Sequence, residues 1–260
     1  MLDEPRSGRL TAWGNALLAG LVSPDEAADR ITGGDSPHRV AGLPGETGQV
    51  GLTLALGRLR SLGARGLRAA LPIAGHPLGL SGPPEFNARA LEAGEAVVAA
   101  GVALGLVPEE GLEGELVWHC LPVREAPPAD VPSLGEAERE LAEALREATE
   151  VLSRLDVAGA GPVTQAALEA YRARAERGRE VLAPGYPPRA LRVLELAQRV
   201  AALVGIAHAS DAAGREHGAA VSASEMAARA EALRPVERTA RRAQVAAYNA
   251  FVEERERDRQ

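Results

Sequence analysis

The 260-residue chain contains no lysine: all 29 of its basic residues are arginine. It has one cysteine, Cys120, and only 3% aromatic residues. Each scarcity excludes something. A single cysteine leaves no intrachain disulfide and no multi-cysteine metal centre. Few aromatics leave the core to Ala, Leu and Val. No run of about 18 apolar residues occurs, so no spanning helix is expected. The start, MLDEPRSGRL, is acidic and lacks an apolar stretch, so no secretory leader is expected. Lys, Asn, Ile, Phe and Tyr are scarce while Ala, Gly, Pro and Arg abound, the mark of GC-rich codons. The arginine content is therefore a poor guide to function. Net charge is −7. Residues 1–130 carry 10 Arg against 16 acids and residues 131–260 carry 19 against 20. Neither half is basic enough for general nucleic-acid binding. The composition fits a soluble cytoplasmic bacterial protein, with neither nucleic acid nor membrane as a partner.

Gly66–Leu91, GLRAALPIAGHPLGLSGPPEFNARAL, is the stretch on which a site can be built. Leu67–Ala74 reads as a strand, apolar except for Arg68. Pro72 removes a ladder donor, which puts the strand at a sheet edge or already leaving it. The loop His76–Pro84 alternates permissive Gly79 and Gly82 with the stiffeners Pro77, Pro83 and Pro84. Pro83 is held extended by its successor, and a helix can begin immediately after. His76, Ser81, Glu85 and Asn87 are the candidate ligand-binding residues. The set suits a small polar ligand better than a phosphate.

Other elements follow from spacing. Arg9–Leu21 reads as an amphipathic helix through Leu10, Trp13, Leu17 and Leu21. Ser23-Pro24-Asp25-Glu26 starts a second helix, which ends at Gly33-Gly34. His38–Leu43 reads as a short strand and Gln49–Ala64 as a helix. The glycines between them stand at every third residue and no Gly-Lys-Ser/Thr follows, so no phosphate loop is read there. Phe86–Leu106, mostly Ala, Val, Leu and Gly from Ala96 onward, reads as a buried helix. Glu115–Val123 reads as a strand covered on both faces. His119 and Cys120 then point to opposite faces, as a satisfied buried histidine and an inert core thiol.

REAPPADVPS, residues 124–133, marks a Pro-rich linker. Beyond it the pattern is helical. Ser133/Glu136 and Ser222/Glu225 form capping boxes, and Leu141, Leu145, Ala148, Leu152 and Leu155 give bundle-like spacing. Pro235 is expected to bend or break the last helix. The fold class expected is α+β and predominantly helical. It has a small three-stranded α/β unit with N-terminal helices in residues 1–123, joined by right-handed crossovers, and an antiparallel helical bundle in 134–260.

Reactive constellations are sparse. His208, Asp211, Glu216 and His217 lie close in sequence, but no Glu-x-x-His pair faces them, so neither a metal nor another cofactor is expected. Arg234, Arg238, Arg241 and Arg242 read as a salt-bridged solvated face. No nucleophile elbow, Ser-His-Asp spacing or Walker motif occurs, and no catalytic residue is assigned. LSRLDVAGAGP (residues 152–162) and ALRPVERTARRAQVAAYNAF (residues 232–251) resemble a family of uncharacterised proteins from high-GC Gram-positive bacteria. That resemblance implies a bacterial cytoplasmic protein and brings no activity with it. The expectation is a non-enzymatic regulatory or scaffolding protein acting through its helical surface, with a protein partner or self-association. The alternative is a small-molecule-binding or enzymatic α/β unit using residues 75–87.

Overall fold

In the computed structural model, residues 4–80, 82–111, 114–124, 128–154, 182–216 and 223–258 are described. The helices among them are α1 (Arg6–Leu18), α2 (Pro24–Thr32), α3 (Leu52–Leu62), α4 (Pro84–Ala93), α5 (Leu134–Arg154), α6 (Pro188–Glu216) and α7 (Ala223–Arg257). The strands are β1 (His38–Ala41), β2 (Val50–Gly51), β3 (Gly66–Ala70), β4 (Ala96–Ala100), β5 (Leu104–Glu110) and β6 (Leu116–Pro122). They form one sheet in the order β2-β1-β6-β5-β4-β3. β1 and β6 run parallel, and every other neighbouring pair is antiparallel.

The expected three-stranded unit followed by a helical bundle is therefore incorrect. The sheet is mixed and twice as large. The main cause lies in AVVAAGVALGL, which forms not one buried helix but β4 and β5, joined at Gly101–Ala103 with Ala103 at φ 49°. A short apolar run fits a buried helix or a buried strand equally well by periodicity. The β-branched pair Val97-Val98 favours the strand. Right-handed crossovers do not build this sheet, because β6, β5, β4 and β3 are consecutively antiparallel.

The chain divides into two compact units. One comprises Met1–Leu2, Pro132–Val181 and Arg192–Gln244; the other comprises Asp3–Val131, Leu182–Leu191 and Val245–Gln260 and holds the sheet. The end of α7 is thus part of the sheet unit rather than of a bundle, and Val245–Val252 is buried throughout. In the sheet unit α1 is not one-sided: Ser7, Gly8 and Leu10–Ala16 are all buried. The Tyr248 ring lies so close to Gly8 that a Cβ there would fall 2.4 Å from it. On one face of the sheet α4 presses Phe86 against Gly105 and joins Ala70, Leu80, Ala90, Ala96, Val107 and Val123 in an apolar cluster. A buried side chain of this size contributes about 1.5–3 kcal/mol.

In the other unit α5 buries Ala137, Leu141 and Ala144, α6 buries Val193, Leu194 and Ala197, and α7 buries Val236, Ala240 and Ala243. Ser133 and Glu136 form the expected capping box, with Glu136 N–H donating to Ser133 Oγ at 3.3 Å and Ser133 N–H to Glu136 Oε2 at 2.9 Å. α7 runs through Pro235 as one helix. Arg242 Nε donates to Glu140 Oε2 at 3.1 Å, and Arg234 pairs with Glu231. The basic face is salt-bridged at these two points. The side chains of His208, Asp211, Glu216 and His217 lie outside the described residues.

Candidate functional site

β3 is an edge strand, as Pro72 implied, and the chain leaves it through a loop that fastens itself. Ile73 and His76 exchange backbone hydrogen bonds at 3.0 and 2.9 Å, and Leu71 N–H donates to Leu78 O at 3.1 Å. Leu78, at φ 40°, and Leu80 turn inward and are buried. Gly79 N–H donates to Ala129 O at 2.8 Å, and Arg124 N–H to Gly82 O at 3.2 Å. Pro83 is extended and Pro84 opens α4.

The four candidate residues have separate positions along this loop. His76 sits at the tight turn with Nδ1 4.0 Å from Asp130 Oδ2, both side chains about a quarter exposed. Asn87 Oδ1 accepts from Gly82 N–H at 3.0 Å and so holds the loop onto α4. Glu85 is exposed in the first turn of α4. Ser81 lies outside the described residues.

A denser polar constellation, which spacing did not reveal, gathers at the start of α1. The N-cap is Pro5, which has no side chain to offer, so the first turn is capped from elsewhere: Ser7 N–H donates to Glu95 Oε2 at 2.8 Å. Burial drives the Glu95 carboxyl upward, against the Ser7 hydrogen bonds and the charges of Arg6 and Arg9. Arg9 pairs with Asp35, and Arg6 reaches both Asp35 (3.4 Å) and Glu110 (2.5 Å). Burial alone would raise Asp35, but the guanidinium of Arg9, then Arg6, outweighs it and holds Asp35 below the usual carboxylate value.

His38, with no side-chain exposure, continues the chain of contacts. Its Nδ1 accepts from Trp118 Nε1 at 3.4 Å, which leaves the proton on Nε2, 3.5 Å from Asp35 Oδ2. Burial lowers its affinity for a second proton. Nε2 faces Asp35 without forming a hydrogen bond, and His38 joins β1 to β6 through Trp118. The hydroxyls of Ser7 and Thr11, one helical turn apart, are buried without a hydrogen-bond partner among the described residues.

Two buried carboxamides, Asn15 and Asn249, act on backbone rather than ligand. Leu67 N–H donates to Asn15 Oδ1 at 2.7 Å, and Asn15 Nδ2 donates to Leu67 O at 2.9 Å. Asn249 repeats the pattern on Ala69, at 2.7 and 3.1 Å. The outer edge of β3 is thereby paired without a further strand. The available sequence signal was a lone Asn inside each apolar helix, at residues 15 and 249. Cys120 is a buried core thiol, as expected, and burial pushes it up to about 11. His119 departs from its reading as a buried residue, being 31% exposed with Nε2 3.0 Å from Glu109 Oε2.

Among the described residues no group of three or more His, Cys, Asp or Glu is placed to hold a metal ion, and no helix is long and apolar enough to cross a membrane. Fold and polar joints together define a mixed-sheet α+β protein whose buried ionisable groups fasten helices to strand ends. Residues 7–132 match the N-terminal domain, and residues 135–245 the C-terminal domain, of the Rv1486c-like proteins, and the chain belongs to that family. It is similar to the uncharacterized protein Rv1486c of Mycobacterium tuberculosis, 32% identical over 282 residues covering 94% of this chain and 96% of the relative. It is also similar to the uncharacterized protein MAV321 of Mycobacterium avium, at 28% identity with the same coverage. No solved structure matches the chain.

Proposed function

We propose that the protein is a non-enzymatic regulatory or scaffolding protein that works through its helical surface, by binding a protein partner or a second copy of itself. The observation supporting this is the outward side of α3. Leu52, Ala55, Leu56 and Leu59 face the core, while Leu54 is 53% exposed on the opposite side and Leu62 38% exposed at the flank of the buried face. Arg58, whose Nε donates to Pro44 O at 3.0 Å, lies between those two leucines on the helical wheel, and small Gly57 and Ser61 flank Leu54 on its other side. Exposed large apolar groups arranged on one element suit a contact surface better than solvent. Activity in the cytoplasm belongs to the same reading, and a chain with a lone thiol suits a reducing compartment. The alternative, a small polar ligand at residues 75–87, draws less support because Asn87 Oδ1 already serves Gly82.

A photo-cross-linking residue placed at position 54 of the full chain tests this reading in native cell extract. A discrete adduct is expected at 54 and not at Ala88, an exposed position on α4. Equal labelling at both positions would overturn the reading.

A further inference from the structure

Two neighbouring helices of the sheet unit carry charge of opposite sign. α1, α2 and α3 pack against one another. α2 turns Ala27 and Ile31 inward, which puts Asp29 at the centre of its outer side with Asp25 and Glu26 beside it. All three are exposed, and none pairs with a described cation. Arg30, the cation of that helix, lies over the Trp13 ring instead, its guanidinium carbon 4.9 Å from the centroid. α3 contains no acidic residue, and its charged residues are Arg58 and Arg60. The bond from Arg58 Nε to Pro44 O fixes the direction of that side chain and leaves its terminal nitrogens without a partner among the described residues. Arg60 is exposed and its side chain bonds to no described residue.

Adjacent helices of opposite sign that do not pair with each other make a surface complementary to itself. About a two-fold axis, the acidic α2 of one copy meets the basic α3 of the other, and the contact occurs twice. No ion pair within a copy has to be broken to form it. Charge also selects the occupant. The chain as a whole is net −7, so the basic side of α3 is an exception on it. An acidic surface is what that side attracts, and α2 of a second copy supplies one. Exposed Leu54, beside Arg58, gives the contact an apolar part.

We infer that α2 and α3 form a symmetric dimer interface whose occupant is a second copy of this chain. Asp25 and Asp29 of each copy meet Arg58 and Arg60 of the other, and Leu54 is covered at the junction. The inference rests on the reading of α3 as a contact surface and names what covers it. The charges set register and association rate, and the covered leucine adds apolar burial. Because the contact is isologous, association closes at two copies.

The test measures the mass of the full chain by sedimentation over a dilution series, at low and at high salt. A monomer–dimer equilibrium that ends at two copies and weakens with salt is expected. The pair Asp25→Arg with Asp29→Arg should weaken it at least about ten-fold, because both contacts then oppose like charges. Arg58→Glu with Arg60→Glu should do the same. An equimolar mixture of the two double variants should form a heterodimer of near wild-type affinity, since each contact again joins opposite charges. The chain carrying all four substitutions should likewise dimerise. Melting curves show which variants keep the fold. Asp29→Arg and Arg60→Glu, which touch no side-chain bond in the structure, replace the double variants where those unfold. A chain that stays monomeric up to about 1 mM, or a dimer that every charge reversal leaves intact, overturns the inference. A monomeric chain whose position 54 still cross-links to a different protein overturns it too, and leaves the α3 contact surface standing.

Discussion

The two margins of the sheet solve the same problem in different ways. At the β3 margin, Asn15 and Asn249 occupy the outer backbone groups of Leu67 and Ala69, and the end of α7 is buried beside them. At the β2 margin, a strand of only two residues passes straight into α3, and the neighbouring Arg39 is left to solvent. An exposed strand edge invites pairing with another chain, so it must be filled, shortened or charged. One margin is filled by side chains and the other is shortened and charged. Polar residues at the first margin are spent on backbone. Those at the second remain available.

The largest expected effect comes from breaking the filled margin. Asn249→Leu removes a donor and an acceptor from Ala69 while keeping a similar volume. Each orphaned buried backbone group costs about 1–3 kcal/mol, so a loss of about 2–6 kcal/mol is expected. Denaturant unfolding measures it. A loss under about 1 kcal/mol would mean that water or relaxation replaces the carboxamide, and the contrast between margins would fail.

Asp35 and Glu95 come next, because both tie α1 to strand ends with opposite pH signatures. Asp35 is held low in the folded protein, so its contribution is present above the ordinary carboxylate value and is lost as pH falls. Asp35→Asn should therefore cost about 1–2 kcal/mol near neutral pH, a modest figure for a partly exposed pair. The variant and wild type should converge on acidification. Glu95 is raised, so its contribution is full below the ordinary carboxylate value and is lost as pH climbs through the folded value. Glu95→Gln should flatten that decline while still accepting the Ser7 N–H. Melting temperature against pH from about 4 to 8 separates the two. Parallel pH curves for the two variants would refute the assignment.

Part of this architecture was legible in the sequence, for physical reasons. Caps are local: Ser23 accepts from Glu26 N–H at 3.2 Å, and Gly33 closes α2. Pro72 implied a strand at an edge or already leaving the sheet, because a missing donor constrains pairing, and β3 lies at the edge and ends at Ala70, before that proline. The apolar run Glu115–Val123 reads as a strand, and Leu116–Pro122 within it is one. The helix expected over Phe86–Leu106 ends at Ala93, and the rest is strand, because alanine, valine and glycine satisfy a buried helix and a buried hairpin alike. The joints at Glu95, Asp35 and His38 were invisible for another reason. Apart from the Asp35–His38 contact, three residues apart, their partners stand 26 to 88 residues away, and spacing cannot report contacts that only the closed sheet creates. His76, Ser81, Glu85 and Asn87 were chosen by proximity in sequence, and the loop gives the three that are described separate neighbours.

The smallest expected effect compares adjacent residues on opposite faces of β6. His119 reaches solvent, whereas Cys120 is 6% exposed and its thiol is pushed up to about 11 by burial. At pH 8 such a group is thiolate in about one molecule in a thousand, and the thiolate is the reactive form. Access is restricted as well, so two barriers act together. A thiol reagent should therefore leave the native protein essentially unlabelled over the time in which it modifies a free cysteine completely. Labelling should rise with denaturant in step with the unfolded fraction, because opening of the sheet unit is what admits the reagent. Rapid native labelling would mean that β6 is accessible on the face opposite His119. The distinction between a closed and an open face of the sheet would then be lost where it is drawn most finely.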